Sequence, residues 1–316
     1  MFGTDARSCD AIEAAVAENG WFTRGEIAMA VDAIRCDMLQ RDKLQRWLSA
    51  YDVPAAEPKR VAVIMAGNIP LVGFFDLMCV IAGGHRAIVK PSGKDSALIR
   101  FIVGLLREIE PETAVEVCDN ESVDAANADA VIATGNDNAK RYFKSLFAGK
   151  PRLLRGSRHS AAVLSGCETV EELQLLKKDI FSYSGLGCRN VSLLFVPRGY
   201  VLRLTEGDGA ANPKFRNNYL QNRALLRMSG EPFVDTGECL LVAGREFSPF
   251  LSRVTICEYE TLAEVSAWLE EHDNELQCVV SECIRHPRRV SFGQSQHPQL
   301  TDYADAVDVM AFLGGL

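Results

Sequence analysis

Paired cysteines are missing from this sequence. Its ten cysteines, at positions 9, 36, 79, 118, 167, 188, 239, 257, 278 and 283, form no CxxC pair and no Cys/His ligand spacing. That pattern argues against a zinc site or a disulfide framework and suits reduced thiols in a cytosol. A lysine or arginine run is also missing, so the net charge of -8 comes with no nucleic-acid footprint and speaks only for solubility. Every long apolar stretch is broken by Gly, Pro or charge before it could cross a bilayer. Asp5, Arg7, Asp10 and Glu13 stand where a secretory signal would carry its apolar core. Together these absences predict a cytoplasmic protein without a metal site, without membrane insertion and without a nucleic-acid partner. Internal repeats and low-complexity tracts are absent too.

What is present suits a globular α/β chain. With 316 residues, 47% hydrophobic and 24% charged, the chain can bury one large core or two smaller ones. Residues 10–50 read as helical, with Gly20 separating a short helix from a long one. Thr23 and Glu26 make a capping box, and Ile27, Val31, Ile34, Met38, Leu44 and Leu48 recur behind it at helical spacing. Strand-like runs at 60–66, 85–90, 115–117, 128–133, 152–154 and 161–164 then alternate with helical ones at 71–82, 95–109, 137–147 and 170–183. Such alternation predicts a parallel, doubly wound sheet. Three short turns, GNIP (67–70), KPS (90–92) and TGN (134–136), fall at the carboxyl ends of its strands, where such sheets bind ligands. From 191 onward strands at 191–196, 239–242, 254–259 and 278–281 alternate with helices at 213–228 and 261–271, predicting a second, smaller α/β domain.

Between the two halves lies DIFSYSGLGCRNVSLLFVP, residues 179–197. Gly185 and Gly187 let the backbone in front of Cys188 approach a ligand and leave the sulfur uncrowded, and Arg189 beside it favours the thiolate. Read alone, Cys188 is either a nucleophile or a space-filling thiol.

Taken in order, the GNIP turn, the KPS end, the TGN turn and the glycine-framed cysteine resemble the aldehyde dehydrogenase superfamily. AVIMAGNIPLVGF, DAVIATGN, GLGCRNVS and GQSQHPQLTDYADAVDVMAFL narrow the resemblance to the acyl-CoA reductases, the family of the fatty acyl-CoA reductase of bacterial luminescence. The luminescence enzymes are longer, so this chain resembles a compact branch. The resemblance implies an aldehyde dehydrogenase-like fold: N-terminal helices and a Rossmann-type cofactor domain over 1–184, a smaller catalytic domain over 185–293, and a closing segment over 294–316. It makes Cys188 the nucleophile and Asn68 an oxyanion donor, although Asn68 is also placed to cap the following helix. Lys90, Pro91 and Ser92 match the segment that holds the adenosine ribose, and Thr134, Gly135 and Asn136 the turn that meets the pyrophosphate. Gly93 and Lys94 replace a glutamate of NAD-preferring relatives, which favours NADPH.

Two departures shape the expected chemistry. Leu154 stands where hydrolytic dehydrogenases keep a water-activating glutamate, and the block whose glutamate orients the nicotinamide ribose is not recognisable around 246–254. His159, nearby, receives no role. The resemblance thus implies reduction of an acyl-CoA to an aldehyde in a homo-oligomer, with room for an aldehyde-accepting or acyl-donating partner enzyme. Another aldehyde or semialdehyde dehydrogenase, a dinucleotide-binding protein without turnover, and a thiol redox sensor are the alternatives.

Overall fold

A computed structural model describes residues 3–118, 127–202, 204 and 212–316. The chain forms two compact units, residues 1–157 with 299–316, and residues 158–298.

The first unit opens with α1 (Ala6–Glu18) and α2 (Arg24–Ala33). The capping box of Thr23 and Glu26 closes in both directions at the start of α2. A π-helical turn at Ile34–Met38 follows, then α3 (Arg41–Leu48). The single long helix expected from the periodicity is therefore broken, because Gln40 is extended; Leu44 and Leu48 resume the same spacing in a new helix. Then come β1 (Arg60–Ile64), α4 (Phe74–Ala82), β2 (Arg86–Lys90), α5 (Ser96–Ile109), β3 (Val115–Val117), β4 (Ala130–Thr134), α6 (Asp137–Leu146) and β5 (Arg152–Arg155). All five strands are parallel in the order β3-β2-β1-β4-β5. The chain moves outward from β1 to β3 and then returns to the other side of β1, so the strand order reverses between β1 and β4. Val61 and Val63 face a cluster with Leu77 and Val80 of α4, whereas Ala62 and Ile64 face Val131 and Phe147 on the opposite side. Helices on both faces explain why β1 is a near-continuous apolar run and not an alternating one.

The second unit runs β6 (His159–Val163), α7 (Val170–Phe181), β7 (Val191–Pro197), α8 (Pro213–Ser229), β8 (Phe233–Asp235), β9 (Leu240–Ala243), β10 (Arg253–Tyr259), α9 (Leu262–Glu271), β11 (Leu276–Ser281) and β12 (Arg289–Val290). Its sheet has the order β12-β11-β6-β7-β10-β9-β8, parallel except for β8 against β9. The chain then returns to the first unit through α10 (Val309–Gly314). Leu300, Val309, Met310 and Leu313 enter the core around α4. Trp47 donates through Nε1 to the Tyr303 hydroxyl at 2.8 Å, and the Tyr51 hydroxyl donates to Asp308 at 2.8 Å.

The two compact units divide at 157/158 and 298/299. β5 and β6 are separated by only residues 156–158, and both read as strands. Only their partners distinguish them: β5 pairs with β4, and β6 with β7 and β11.

Candidate active site

In the first unit, the turns after β1, β2 and β4 leave the carboxyl edge of the sheet on both sides of the strand reversal. The turn after β1 carries Asn68, whose residue is exposed. α4 begins at Phe74 with Gly73 in the N-cap position, so Asn68 does not cap it. Leu71 intervenes with a left-handed φ of 57° and delays the helix. The turn is held from outside. Asn19, 5% exposed, donates through Nδ2 to the Gly67 carbonyl at 3.2 Å, and the Leu71 amide donates to Asp95 Oδ2 at 2.8 Å.

Lys90 ends β2, Pro91 behind it is buried, and Lys94 is exposed. The Lys94 amide donates to Ser92 Oγ at 3.2 Å. The Asn68 turn and the Ser92 turn approach so closely that a Cβ on Gly67 would lie 2.6 Å from Ser92 Cβ. Only glycine allows that approach. After β4, the Gly135 amide donates to the Arg155 carbonyl at 3.2 Å, and a Cβ there would lie 2.8 Å from Ala139 Cβ. Asn136 Oδ1 accepts the Ala139 amide at 2.9 Å and so caps α6. Asn68, Lys90, Pro91, Ser92, Lys94, Thr134, Gly135 and Asn136 are thus gathered at one edge of one sheet, beside its topological switch point. Two glycine cradles in these turns, with a cation beside one of them, fit a dinucleotide.

Asp95 is a group that the sequence reading missed. It is 1% exposed, its Oδ1 has no hydrogen-bond partner among the described residues, and burial pushes its pKa up to about 8, with the nearby Glu18 carboxylate of α1 adding to the push. The folded chain therefore keeps a proton to about pH 8 that the unfolded chain releases near pH 3.8. Unfolding releases that proton in between, so stability falls as pH rises across this window and levels off above it. Asp95→Asn keeps the acceptor oxygen and removes the titration. The variant is expected to lose this slope and to exceed the wild type by roughly a few kcal/mol at pH 9, measured as denaturant midpoints at pH 5, 7 and 9.

Cys188 lies in the second unit, on the loop between α7 and β7, and is exposed. Three consecutive residues before it are left-handed: Tyr183 (φ 53°), Ser184 (φ 55°) and Gly185 (φ 71°). For Tyr183 and Ser184 this costs on the order of 1–3 kcal/mol each and persists only where the surroundings over-determine it. Here both residues are buried, and Asn190 fastens the loop. Its Nδ2 reaches the carbonyls of Asp179, Ile180 and Ser182 at 3.2, 3.2 and 2.8 Å, while its Oδ1 accepts the Gly187 amide at 2.8 Å. Asn190 therefore satisfies carbonyls that the end of α7 leaves open.

A second set of contacts holds the far side of the loop. Ser160 of β6 donates to the Cys188 carbonyl at 2.9 Å and accepts the Cys278 amide of β11 at 3.2 Å. The Cys278 thiol donates weakly to the Arg189 carbonyl at 3.9 Å. Burial pushes the Cys278 thiol up to about 11, so it stays protonated and acts as a donor. Asp179, at the end of α7, accepts the Gly293 and Ser295 amides at 2.6 and 3.0 Å, with its pKa raised by burial. These bonds join the DIFSYSGLGCRN and GQSQ blocks. Asn190 and Asp179 lie inside the 179–197 stretch, but nothing in the sequence marked Ser160 or Cys278 as their companions.

Leu154 packs against the cluster of Val131 and Phe147. His159 stacks on Phe247 with ring centroids 4.8 Å apart. Among the described residues, no cluster of three or more His, Cys, Asp or Glu could hold a metal ion, and no helix is long and apolar enough to cross a membrane.

The sequence model for acyl-CoA reductase (LuxC) matches residues 8–209. No curated protein sequence matches the chain. Among solved structures, an oxidoreductase from Marinobacter aquaeolei is similar at 13% identity, over 92% of this chain and 75% of that one, with a TM-score of 0.65. The aldehyde dehydrogenase KauB from Pseudomonas aeruginosa is similar at 17% identity, over 89% and 70%, with a TM-score of 0.63. An indole-3-acetaldehyde dehydrogenase solved with NAD+ is similar at 16% identity, over 90% and 75%, with a TM-score of 0.57. The fold is that of the aldehyde dehydrogenases.

Proposed function

The chain belongs to the acyl-CoA reductase (LuxC) family, and from that premise we propose that it reduces an acyl-CoA thioester to an aldehyde with NADPH, through an acyl group carried on Cys188. The observation that carries this reading is the exposed thiol on a loop whose strained backbone is fixed by Asn190 and Ser160.

Cys188, as thiolate, attacks the thioester carbonyl; the new C–S bond forms as the bond to CoA breaks, and CoA leaves as its thiolate, which takes up a proton from solvent. Exchanging one thioester for another keeps the carbonyl reactive. Asn68 is assigned to stabilise the oxyanion, a donor typically worth about 2.7–4 kcal/mol. Lys90, Ser92, Lys94 and the 134–136 turn would hold NADPH at the carboxyl edge of the first sheet, where it would supply the hydride. Cys188 then departs from the reduced carbon as the aldehyde forms. Leu154 offers no base to activate water, so the acyl group waits on the enzyme for reduction and is not hydrolysed.

The test is a panel of acyl-CoAs from short to long, following NADPH loss, free CoA and aldehyde together. Equal amounts of CoA and aldehyde with one preferred chain length are expected. NADPH binding with no CoA release from any of them would sink the proposal.

Lys94 is assigned the 2'-phosphate. It is exposed beside the Ser92 turn, with open space at Gly93. Charge-assisted hydrogen bonds are worth about 1.5–3 kcal/mol, so Lys94→Glu is expected to shift the ratio of kcat/KM for NADPH over NADH toward NADH by about 10- to 100-fold. An unchanged ratio would remove Lys94 from the cofactor site.

A further inference from the structure

We infer that Asn19 and Asp95 are positioning residues that set the Asn68 turn for oxyanion stabilisation, an inference that rests on the role proposed for Asn68. The turn between β1 and α4 is gripped at two points that flank Asn68. One is the Gly67 carbonyl, bonded by Asn19 Nδ2; the other is the Leu71 amide, bonded by Asp95 Oδ2. The first fixes the peptide plane that enters Asn68. The second holds Leu71 in a left-handed conformation that a leucine does not adopt unaided.

The caps of α5 show an unusual division of labour. Asp95 occupies the N-cap position of α5, where an aspartate ordinarily accepts amides of its own first turn, yet it makes no capping bond. Glu18 of α1 takes that place instead, accepting the Ser96 and Ala97 amides at 2.8 and 3.0 Å. Asp95 is thereby released to reach across to Leu71, although this leaves a carboxyl group buried with one oxygen unpartnered among the described residues. A residue selected only to stabilise α5 would cap it. Glu18 and Asn19 are consecutive, so the end of α1 both caps the helix after the Ser92 turn and holds the Asn68 turn. Asn19 is itself fixed, because its Oδ1 accepts the Trp21 amide at 3.1 Å.

The test is a double-mutant cycle on the full chain. Asn19→Ala and Asp95→Ala are each expected to lower kcat for acyl-CoA reduction by about 10- to 100-fold, the scale of a small misplacement of a reacting group, with NADPH affinity little changed. In an Asn68→Ala background the same changes should cost less than about 2-fold, since the group they position is gone. Losses that multiply fully in that background would overturn the inference. If Asp95→Ala folds poorly, Asp95→Asn decides instead. It keeps the acceptor for Leu71 and should retain the wild-type rate, whereas Asn19→Asp, which cannot donate to Gly67, should behave like Asn19→Ala. Amide exchange gives a readout that needs no substrate. Asp95→Ala should speed exchange at Leu71 while β1 and β4 keep their protection, and unchanged Leu71 exchange would overturn the bracket. A wild type with no acyl-CoA turnover would defeat the functional reading, and the exchange result would still decide the bracket.

Discussion

Cys188→Ala is expected to lower acyl-CoA reduction by about 10^4-fold or more, the scale seen when a nucleophile that acts with its neighbours as one unit is removed. The side chain is exposed, so the variant should unfold at the same denaturant concentration as the wild type, and the loss will be chemical. Two controls make the result specific. Cys36 and Cys167 are also exposed, and replacing either with alanine should leave turnover within about 2-fold, as for surface substitutions elsewhere. With a labelled acyl-CoA and no NADPH, label should stay on the peptide containing Cys188 in the wild type and be absent from the alanine variant. Turnover surviving in Cys188→Ala would place the acyl group elsewhere or nowhere on the chain.

Much of the first sheet was legible because its strands are short valine-rich runs punctuated by glycine and proline. β1, β2 and β4 each sit within two residues of their expected bounds. Both faces of the sheet are covered, and burial on both faces writes itself into sequence as continuous apolarity. The turns at the carboxyl edge of the sheet were legible for the same reason, since in a parallel sheet they must lie where strands end. The left-handed run at 183–185 was not, because Tyr and Ser carry no local preference for it; buried surroundings and the four hydrogen bonds of Asn190 impose it. Nor was the bracket around Asn68 legible, since Asn19 lies 48 residues from the carbonyl it holds. Contacts of that range leave no period and no spacing. The short edge strands β8 and β12 were not read from the sequence.

The buried pair of Arg155 and Asp76 is the sharpest case of what pattern cannot reveal, and its removal carries the second large expected effect. Arg155 ends β5 and Asp76 lies in the first turn of α4; each is 5% exposed, with Nη1 2.5 Å from Oδ2. Among the described residues Arg155 Nε and Nη2 and Asp76 Oδ1 have no hydrogen-bond partners, so the desolvation of both charges is only partly repaid. Asp76→Ala, leaving the guanidinium buried alone, is expected to destabilise the first unit by about 3–5 kcal/mol. The pair Asp76→Leu with Arg155→Met, which removes both charges and keeps the volume, should be neutral or stabilising by about 1–4 kcal/mol. Denaturant unfolding followed by Trp47, which is in the first unit's core, reads both. If the apolar pair is more stable, the charges are kept for something other than stability, and the neighbours indicate what. Arg155 Nη1 lies 3.4 Å from the Thr134 hydroxyl, and the Arg155 carbonyl accepts the Gly135 amide, both in the turn assigned to the pyrophosphate. The double variant should then bind NADPH more weakly while unfolding later. Tighter or unchanged binding would make the ion pair a packing solution of the fold alone.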